Sequence, residues 1–297
     1  MRPPMQRHTL RPQPDQTSDQ RSDSDEFVES EEASDSDEME FPAPNIETSS
    51  ESESEDTVDS TYYPSISDTL TVRYLLQWKV AAGGIPPEIV DMIIEAAEYW
   101  ASTEARIDGK IVIRQDGDRE LLRTAPLYHE KTSDGSLSKL LPHRLAHPCR
   151  KIVFSLRCHD QGWGGEPGCR GTYQGSYTWF DAEVVSIDYE HEESKKAGTK
   201  PGEPNFMPKG NKLQSNLAAT GRTQNYTITW HHLDDIQPGT AEAEEIEKTQ
   251  GRGHATLDGR RVREMRPGDS ISVWARARFG AWANHVQALS VRVFWAV

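Results

Sequence analysis

The sequence lacks the features that mark membrane proteins and disulfide-rich secreted proteins. It contains no run of 18 apolar residues, so no segment predicts a membrane span. Its three cysteines form no C-x-x-C pair, and their odd number argues against a disulfide framework. The first residues, MRPPMQRHTLRPQPDQ, hold no apolar stretch of the kind that a secretory signal needs. We therefore expect a cytoplasmic or nuclear protein with reduced thiols and no contact with membranes.

Positive charge is almost missing from the N-terminal part of the 297-residue chain. Residues 1–68 hold 19 Asp and Glu against 4 Arg and no Lys, out of 48 acidic and 33 basic residues in all. The net charge of −15 therefore belongs to this segment, and the rest of the chain is balanced. A balanced charge without a nucleic-acid-binding motif argues against DNA or RNA as a partner.

Residues 1–68 are predicted to form a disordered acidic tail, because they are rich in Ser, Asp and Glu and poor in aliphatic residues. Such a segment cannot bury enough apolar surface to offset about 1–2 kcal/mol per residue of backbone ordering. Either the tail only keeps the protein solvated, or kinases modify it. Five hydroxyl side chains have an acid three positions later, as acidophilic kinase sites do: Ser22, Ser34, Thr48, Ser50 and Ser52.

From residue 110 onward, apolar and polar residues alternate with a period of two, which predicts β-strands. Eight such runs are separated by Gly, Pro, Asn and Asp: KIVIRQ, ELLRTAPLY, RKIVFSLRCHD, SYTWFDAEVVSID, KLQSNLAA, NYTITWHHL, SISVWARARF and QALSVRVFWAV. Eight strands with almost no intervening helix indicate a mainly β fold, an antiparallel two-sheet β-sandwich of jelly-roll type. The predicted domains are the tail (1–68), a helical segment (69–105) and the sandwich (106–297).

Two polar insertions interrupt the predicted strands, at residues 190–211 and 234–265. Within the second, TAEAEEIEKTQG predicts a short surface helix that ends near Gly251. The second insertion also carries a cluster of arginines, which we expect to hold the acidic tail or to bind phosphate groups: Arg252, Arg260, Arg261, Arg263 and Arg266.

The segment IPPEIVDMIIEAAEYW (85–100) gives the clearest helical pattern, and its two prolines suit a helix start. We expect this helix to pack on the sandwich through one apolar face: Ile89, Met92, Ile93, Ala96, Ala97 and Trp100. The preceding segment, residues 71–80, is compatible with either a helix or a strand.

The same segment resembles the start of an F-box, which opens with Leu-Pro, an acid two residues later and an apolar helix. Ile85-Pro86 replaces Leu-Pro here, and Glu88 holds the acid position. The resemblance implies a substrate adaptor of a Skp1-cullin ubiquitin ligase. It also implies that four residues contact Skp1: Pro86, Glu88, Ile89 and Ile93.

Residues 84–297 are similar to a family of uncharacterised fungal proteins. The similarity lies in three stretches: Asp160–Trp163, Tyr177–Phe180 and Trp274–Phe279. It implies no biochemical activity. The β pattern is also similar to galactose-binding-like and discoidin-like sandwiches, which implies the fold alone.

A loop rich in glycine and aromatic residues, CHDQGWGGEPGCRGTYQGSYTWFD (158–181), is the first candidate for a binding site. Aromatic faces beside carboxylates and amides suit a protein partner or a small polar ligand. The candidate ligand-binding residues are Asp160, Gln161, Trp163, Tyr173, Tyr177 and Trp179. In the alternative, Trp163 closes one end of the sandwich and Asp160 caps the loop through backbone N–H groups.

A second motif, His232-x-Asp234, resembles the first half of a two-His-one-carboxylate iron site, with His285 as a candidate third ligand. It keeps an iron-dependent jelly-roll oxygenase open as an alternative. The interpretation that we favour is a binding module without catalytic residues, cofactor or metal, with its recognition site at 158–181.

Overall fold

The computed structural model describes residues 61–131, 137–186 and 211–297, which form a sandwich of two four-stranded antiparallel sheets. The strands in chain order are β1 (Ala101–Arg114), β2 (Asp118–Arg123), β3 (His129–Lys131), β4 (Leu137–Leu140), β5 (Cys149–His159), β6 (Thr178–Val185), β7 (Lys212–Ser215), β8 (Gln224–His231), β9 (Ser270–Ala277) and β10 (Ala283–Trp295). The first sheet has the order β1-β10-β5-β8 and the second β2-β9-β6-β7, while β3 and β4 pair separately. The predicted mainly β sandwich of jelly-roll type is confirmed.

Four α-helices accompany the strands within the described residues: α1 (Ile66–Lys79), α2 (Pro87–Ala96), α3 (Ala241–Gln250) and α4 (Arg260–Glu264). Residues 71–79 therefore belong to a helix rather than a strand, and Val80 is its C-cap. The predicted surface helix is α3, and it ends at Gly251, whose left-handed backbone (φ 72°) suits glycine. None of the helices in the described ranges is long and apolar enough to cross a membrane.

Two of the predicted boundaries shift. Helix α1 begins at Ile66 and is capped by Ser65, whose side chain accepts a hydrogen bond from the N–H of Asp68, so residues 66–68 do not belong to the tail. Strand β1 begins at Ala101, so the sandwich starts five residues before the predicted boundary and residues 101–105 do not belong to the helical segment. The candidate phosphorylation sites and most of the first insertion lie outside the described residues.

Helix α2 packs through a different face from the predicted one. Val90 and Ile94 are buried, whereas Ile89, Met92 and Ile93 are exposed. Glu88, Asp91 and Glu95 share one face of the helix and apolar residues cover the wide arc opposite, so periodicity alone does not tell which part of that arc packs on the sandwich. The expectation that Ile93 is buried is therefore wrong.

The core lies between the two sheets, where the predicted alternation holds. Ile152 and Phe154 of β5 and Ile271 and Val273 of β9 belong to one core cluster, and all four are fully buried. The ring of Phe154 meets that of Trp230 edge to face, with centroids 4.7 Å apart. Burial of these side chains is the main favourable contribution to folding.

The sandwich has two ends that carry different structures. Strand β5 begins at Cys149, beside the last residues of β8. Helices α1 and α2 and the C-terminal Val297 lie at the same end, which we call the helical end. Strand β5 finishes at His159, beside the start of β10 and the loop 158–181; we call this the loop end.

A buried polar network ties the two sheets together at the loop end. The Asn216 side-chain amide donates to the Thr178 hydroxyl and to Asn284 Oδ1, both at 3.0 Å. The Asn284 amide in turn donates to the carbonyl oxygens of Trp179 and Arg276, at 3.1 and 3.3 Å. Both asparagines are fully buried, so each bond replaces one to water that is lost on folding.

We expect Asn284→Leu to lower the free energy of unfolding by about 2 kcal/mol or more. The change leaves several buried polar groups without a partner, at about 1–3 kcal/mol each. Chemical denaturation measures the effect, and the exposed Asn225→Leu serves as the matched control. Equal stability of the two variants would contradict the account of this network.

Candidate functional site

The loop 158–181 uses most of its predicted binding residues internally. Asp160 is fully buried and accepts hydrogen bonds from the N–H groups of Gly162 and Ala219, both at 2.9 Å. Burial raises the pKa of Asp160, and the two N–H donors oppose that rise. Trp179 is 2% exposed, and its indole N–H donates to Asp181 at 3.0 Å. Asp160 and Trp179 are therefore structural, which corrects their assignment to a ligand surface.

Gln161 also has an internal role, whereas Trp163 does not. The Gln161 side chain accepts from the N–H of Ala283 at 3.2 Å and donates to the carbonyl of Trp163 at 2.8 Å. The Trp163 side chain is 60% exposed, so it does not close the sandwich. Of the two parts of the architectural alternative for this loop, the cap made by Asp160 is present and the plug made by Trp163 is absent.

The aromatic residues of the loop do not assemble into one groove. Tyr177 packs edge to face against Phe279 and Trp282, with centroids 4.6 and 5.1 Å away. Tyr173 lies in another direction, 6.4 Å from Tyr226. Within the described part of the chain, no aromatic ring pairs with Trp163 at all.

The three candidate iron ligands lie at opposite ends of the sandwich. His285 pairs with His159 in the sheet, and their rings stack 4.6 Å apart at the loop end. His232 and Asp234 follow β8 at the helical end. The three side chains therefore do not converge, and no group of three or more potential metal ligands occurs in the described ranges.

The arginines of the second insertion hold that insertion on the sandwich. Arg252 donates to the carbonyl of Thr229 at 2.9 Å, and Arg261 donates to that of Ala182 at 2.9 Å. Arg263 donates to three backbone carbonyls at 2.7–3.0 Å. These three guanidinium groups donate to backbone carbonyls, whereas Arg260 and Arg266 of the same cluster are exposed.

A groove of about 860 Å³ lies at the helical end of the sandwich, and we call it the helical-end groove. It lies between α2, the start of β5 and the residues that follow β8. Asp91 of α2 forms ion pairs with Arg73 of α1 and with Arg144. Glu95 of α2 pairs with Arg150 of β5 at 2.6 Å. These pairs fix one helical wall of the groove.

Trp100 closes the inner end of the groove. It is 1% exposed, and its indole N–H donates to Glu95 Oε2 at 3.1 Å. Lys151 bridges Trp100 and the residues just after α2, because its ammonium lies 5.3 Å from the Trp100 ring and 2.6 Å from Glu98. The hydrogen bond from Lys151 lowers the pKa of Glu98, so this carboxylate stays ionised.

Two adjacent histidines form the wall opposite α2. His231 Nδ1 accepts the N–H of Leu233 at 3.1 Å, which leaves the proton on Nε2, 3.5 Å from Glu98. His232 Nε2 lies 3.6 Å from Glu95. Burial lowers the pKa of His232, and His231 and Arg150 lower it further. His232 is therefore neutral near pH 7.

The rim of the groove is apolar and open to solvent. Met92, Leu145 and Leu233 are 66%, 70% and 71% exposed. The four residues predicted to bind a partner are also exposed, on and just before α2: Pro86, Glu88, Ile89 and Ile93. Large apolar side chains clustered around a concavity mark interaction sites more often than isolated ones do.

This groove is hard to recognise from the sequence, because its residues come from five separate segments. The one available signal was Trp-His-His-Leu at the end of β8, where an apolar leucine follows two histidines in a turn. The resemblance to an F-box had already marked α2 as a partner-binding helix.

Comparison with known proteins adds no assignment. No family model, curated protein or solved structure matches this chain. The resemblances to F-box, fungal and galactose-binding-like families therefore remain predictions from the sequence.

The groove predicts a specific dependence of stability on pH. The pKa of His232 is lowered on folding, so the unfolded chain binds its proton first as pH falls below the ordinary value of about 6.5. Above that pH the residue has no such effect. We expect stability to fall as pH drops below about 6.5, and His232→Gln to reduce that loss.

Thermal midpoints across this pH range measure the effect, with the exposed His147→Gln as the matched control. The account fails if His232→Gln and His147→Gln show the same acid sensitivity as the unmodified protein.

Proposed function

We propose that the protein is a non-catalytic binding module that holds an apolar segment of a partner protein in the helical-end groove. One observation carries the proposal: an apolar, exposed rim surrounds a groove whose polar groups are fixed by one another. Its volume lies in the range of about 300–1,000 Å³ that is typical of binding sites. The proposal moves the recognition site from the loop 158–181 to the opposite end of the sandwich.

The state of the acidic side chains supports binding rather than catalysis. Asp91, Glu95 and Glu98 each form an ion pair with an arginine or a lysine. A general acid or base must have its carboxylate available to the substrate, whereas each of these three carboxylates is already engaged by a cation. These residues are thus better suited to holding the groove in shape.

The exposed rim favours a protein segment over a small ligand. Met92 and Leu233 on the rim have most of their surface in water. A compact ligand bound on the groove floor would leave these two side chains exposed. A peptide that crosses the groove covers the rim as well as the floor, as amphipathic helices do in hydrophobic grooves. We therefore expect the partner segment to present several apolar side chains on one face.

Panning a library of random 16-residue peptides on the immobilised protein tests this function. We expect enrichment of peptides with apolar residues at helical or alternating spacing. The double variant Met92→Glu/Leu233→Glu should weaken binding of the enriched peptides at least tenfold, because it places charge on the rim.

Val112→Glu is the control, since Val112 is exposed on β1 near the loop end. It should bind the peptides as the unmodified protein does. Peptides that bind the double variant equally well, or a library that yields none, would contradict the proposal.

A second candidate function is that of an F-box-like adaptor. Exposure of Ile89 (45%) and Ile93 (39%) supports it, because a partner-binding helix needs its apolar residues available. The implied partner is Skp1, and the implied contact is the outer face of α2.

Gel filtration with purified Skp1 tests the adaptor function. We expect an adaptor to co-elute with Skp1, and Ile93→Asp to abolish co-elution without lowering the thermal midpoint, because Ile93 is not buried. Separate elution of the unmodified protein and Skp1 would exclude this function and leave the groove proposal intact.

A further inference from the structure

Helix α1 has little packing to support it. Of its 14 residues, Thr69 alone is buried, whereas four large apolar side chains are 41–58% exposed: Leu70, Tyr74, Leu75 and Trp78. Isolated helices of this length are marginally stable in water, and most helical stability in proteins comes from packing of an apolar face. The outer face of α1 therefore has the composition of a contact surface.

The exposed residues of α1 follow the spacing of a helix–helix seam. Ser67, Leu70, Thr71, Tyr74, Leu75 and Trp78 recur at intervals of three and four residues, and all are exposed. A repeat of this kind is typical of helices that pair along their length. We call these six residues the α1 seam.

Side-chain size along the α1 seam suits pairing with a second copy of the same helix. The small residues Ser67 and Thr71 lie in its N-terminal half, and the large residues Tyr74 and Trp78 lie in its C-terminal half. Antiparallel pairing about a two-fold axis places Trp78 opposite Ser67 and Tyr74 opposite Thr71 of the second copy. Each large side chain then meets a small one, which is the self-complementarity that a two-fold interface requires.

The charges of α1 also favour antiparallel pairing. Asp68 lies in the first turn of α1 and Lys79 in the last. Antiparallel pairing brings Lys79 of one copy towards Asp68 of the other and sets the two helix dipoles in opposition, both of which are favourable. A parallel pair would bring like charges together.

The available area also fits a dimer. The four large side chains expose on the order of 400 Å² of apolar surface per copy, about half of the ~800 Å² that each partner buries in a standard interface. The smaller seam residues and the flanking Val80, itself 64% exposed, add to it. We infer that the protein forms a homodimer through antiparallel pairing of the α1 seams.

This interface is separate from the helical-end groove. Arg73 is the one α1 residue that lines the groove, and it lies outside the seam. A dimer therefore leaves both grooves open to partners, and it does not depend on the proposed function.

Sedimentation equilibrium of the full chain tests the inference. We expect a species of twice the 33.5 kDa chain mass at micromolar concentration. Trp78→Glu should raise the dimer dissociation constant at least a hundredfold, because it replaces the largest apolar side chain of the seam with a charge. Trp163→Glu, which changes an equally exposed tryptophan at the loop end, should leave the dimer intact.

Exchanging a small and a large side chain within the seam distinguishes specific pairing from non-specific apolar association. Thr71→Tyr adds apolar surface but sets a large residue opposite Tyr74 of the second copy, so it should weaken the dimer at least tenfold. The double variant Thr71→Tyr/Tyr74→Thr restores the large-to-small match and should restore dimerisation. Circular dichroism of each variant verifies that α1 and the sandwich remain folded.

Three results would overturn the inference. The first is a monomer at 100 micromolar. The second is a dimer unaffected by Trp78→Glu. The third is a dimer that Thr71→Tyr strengthens, because non-specific adhesion would respond in that way. A monomer that binds purified Skp1 would assign the exposed helices to a different partner.

Discussion

The carboxylate of Glu95 determines where helix α2 lies, and the helical-end groove depends on that position. One of its oxygens accepts from Arg150 of β5 at 2.6 Å, and the other accepts from the indole of buried Trp100 at 3.1 Å. The helix is thereby attached to the first sheet by a charged contact and a packed aromatic ring. Breaking such a partly buried pair leaves an unpaired charge, so the attachment is stiff as well as specific.

The jelly-roll fold was predictable from sequence because one physical rule dominates it. Strands with one buried face must alternate, so Ile152, Phe154 and Leu156 point to the core while Val153 and Ser155 do not. The packing face of α2 was not predictable. Val90 and Ile94 are no more apolar than Ile89 and Ile93, and only the contacts with neighbouring segments distinguish them.

The candidate site shows the same division between local and long-range information. The composition of the loop 158–181 suggested a binding site. Its buried carboxylate, Asp160, instead accepts hydrogen bonds from backbone N–H groups, one of them on Ala219, 59 residues away in the sequence. The groove combines Asp91, Arg150 and His232, which no local pattern connects. The sequence gives the side chains that are present. A binding site, however, consists of those side chains that are not already engaged in hydrogen bonds and packing within the fold.

Site-specific photo-cross-linking tests most directly whether recognition takes place at the helical end. A benzophenone amino acid is placed at Leu233 on the groove rim or at Trp163 on the loop, and each protein is irradiated with a peptide selected by panning. The account predicts a peptide adduct from position 233 and none from position 163. An adduct from position 163 alone would contradict it and return the recognition site to the loop.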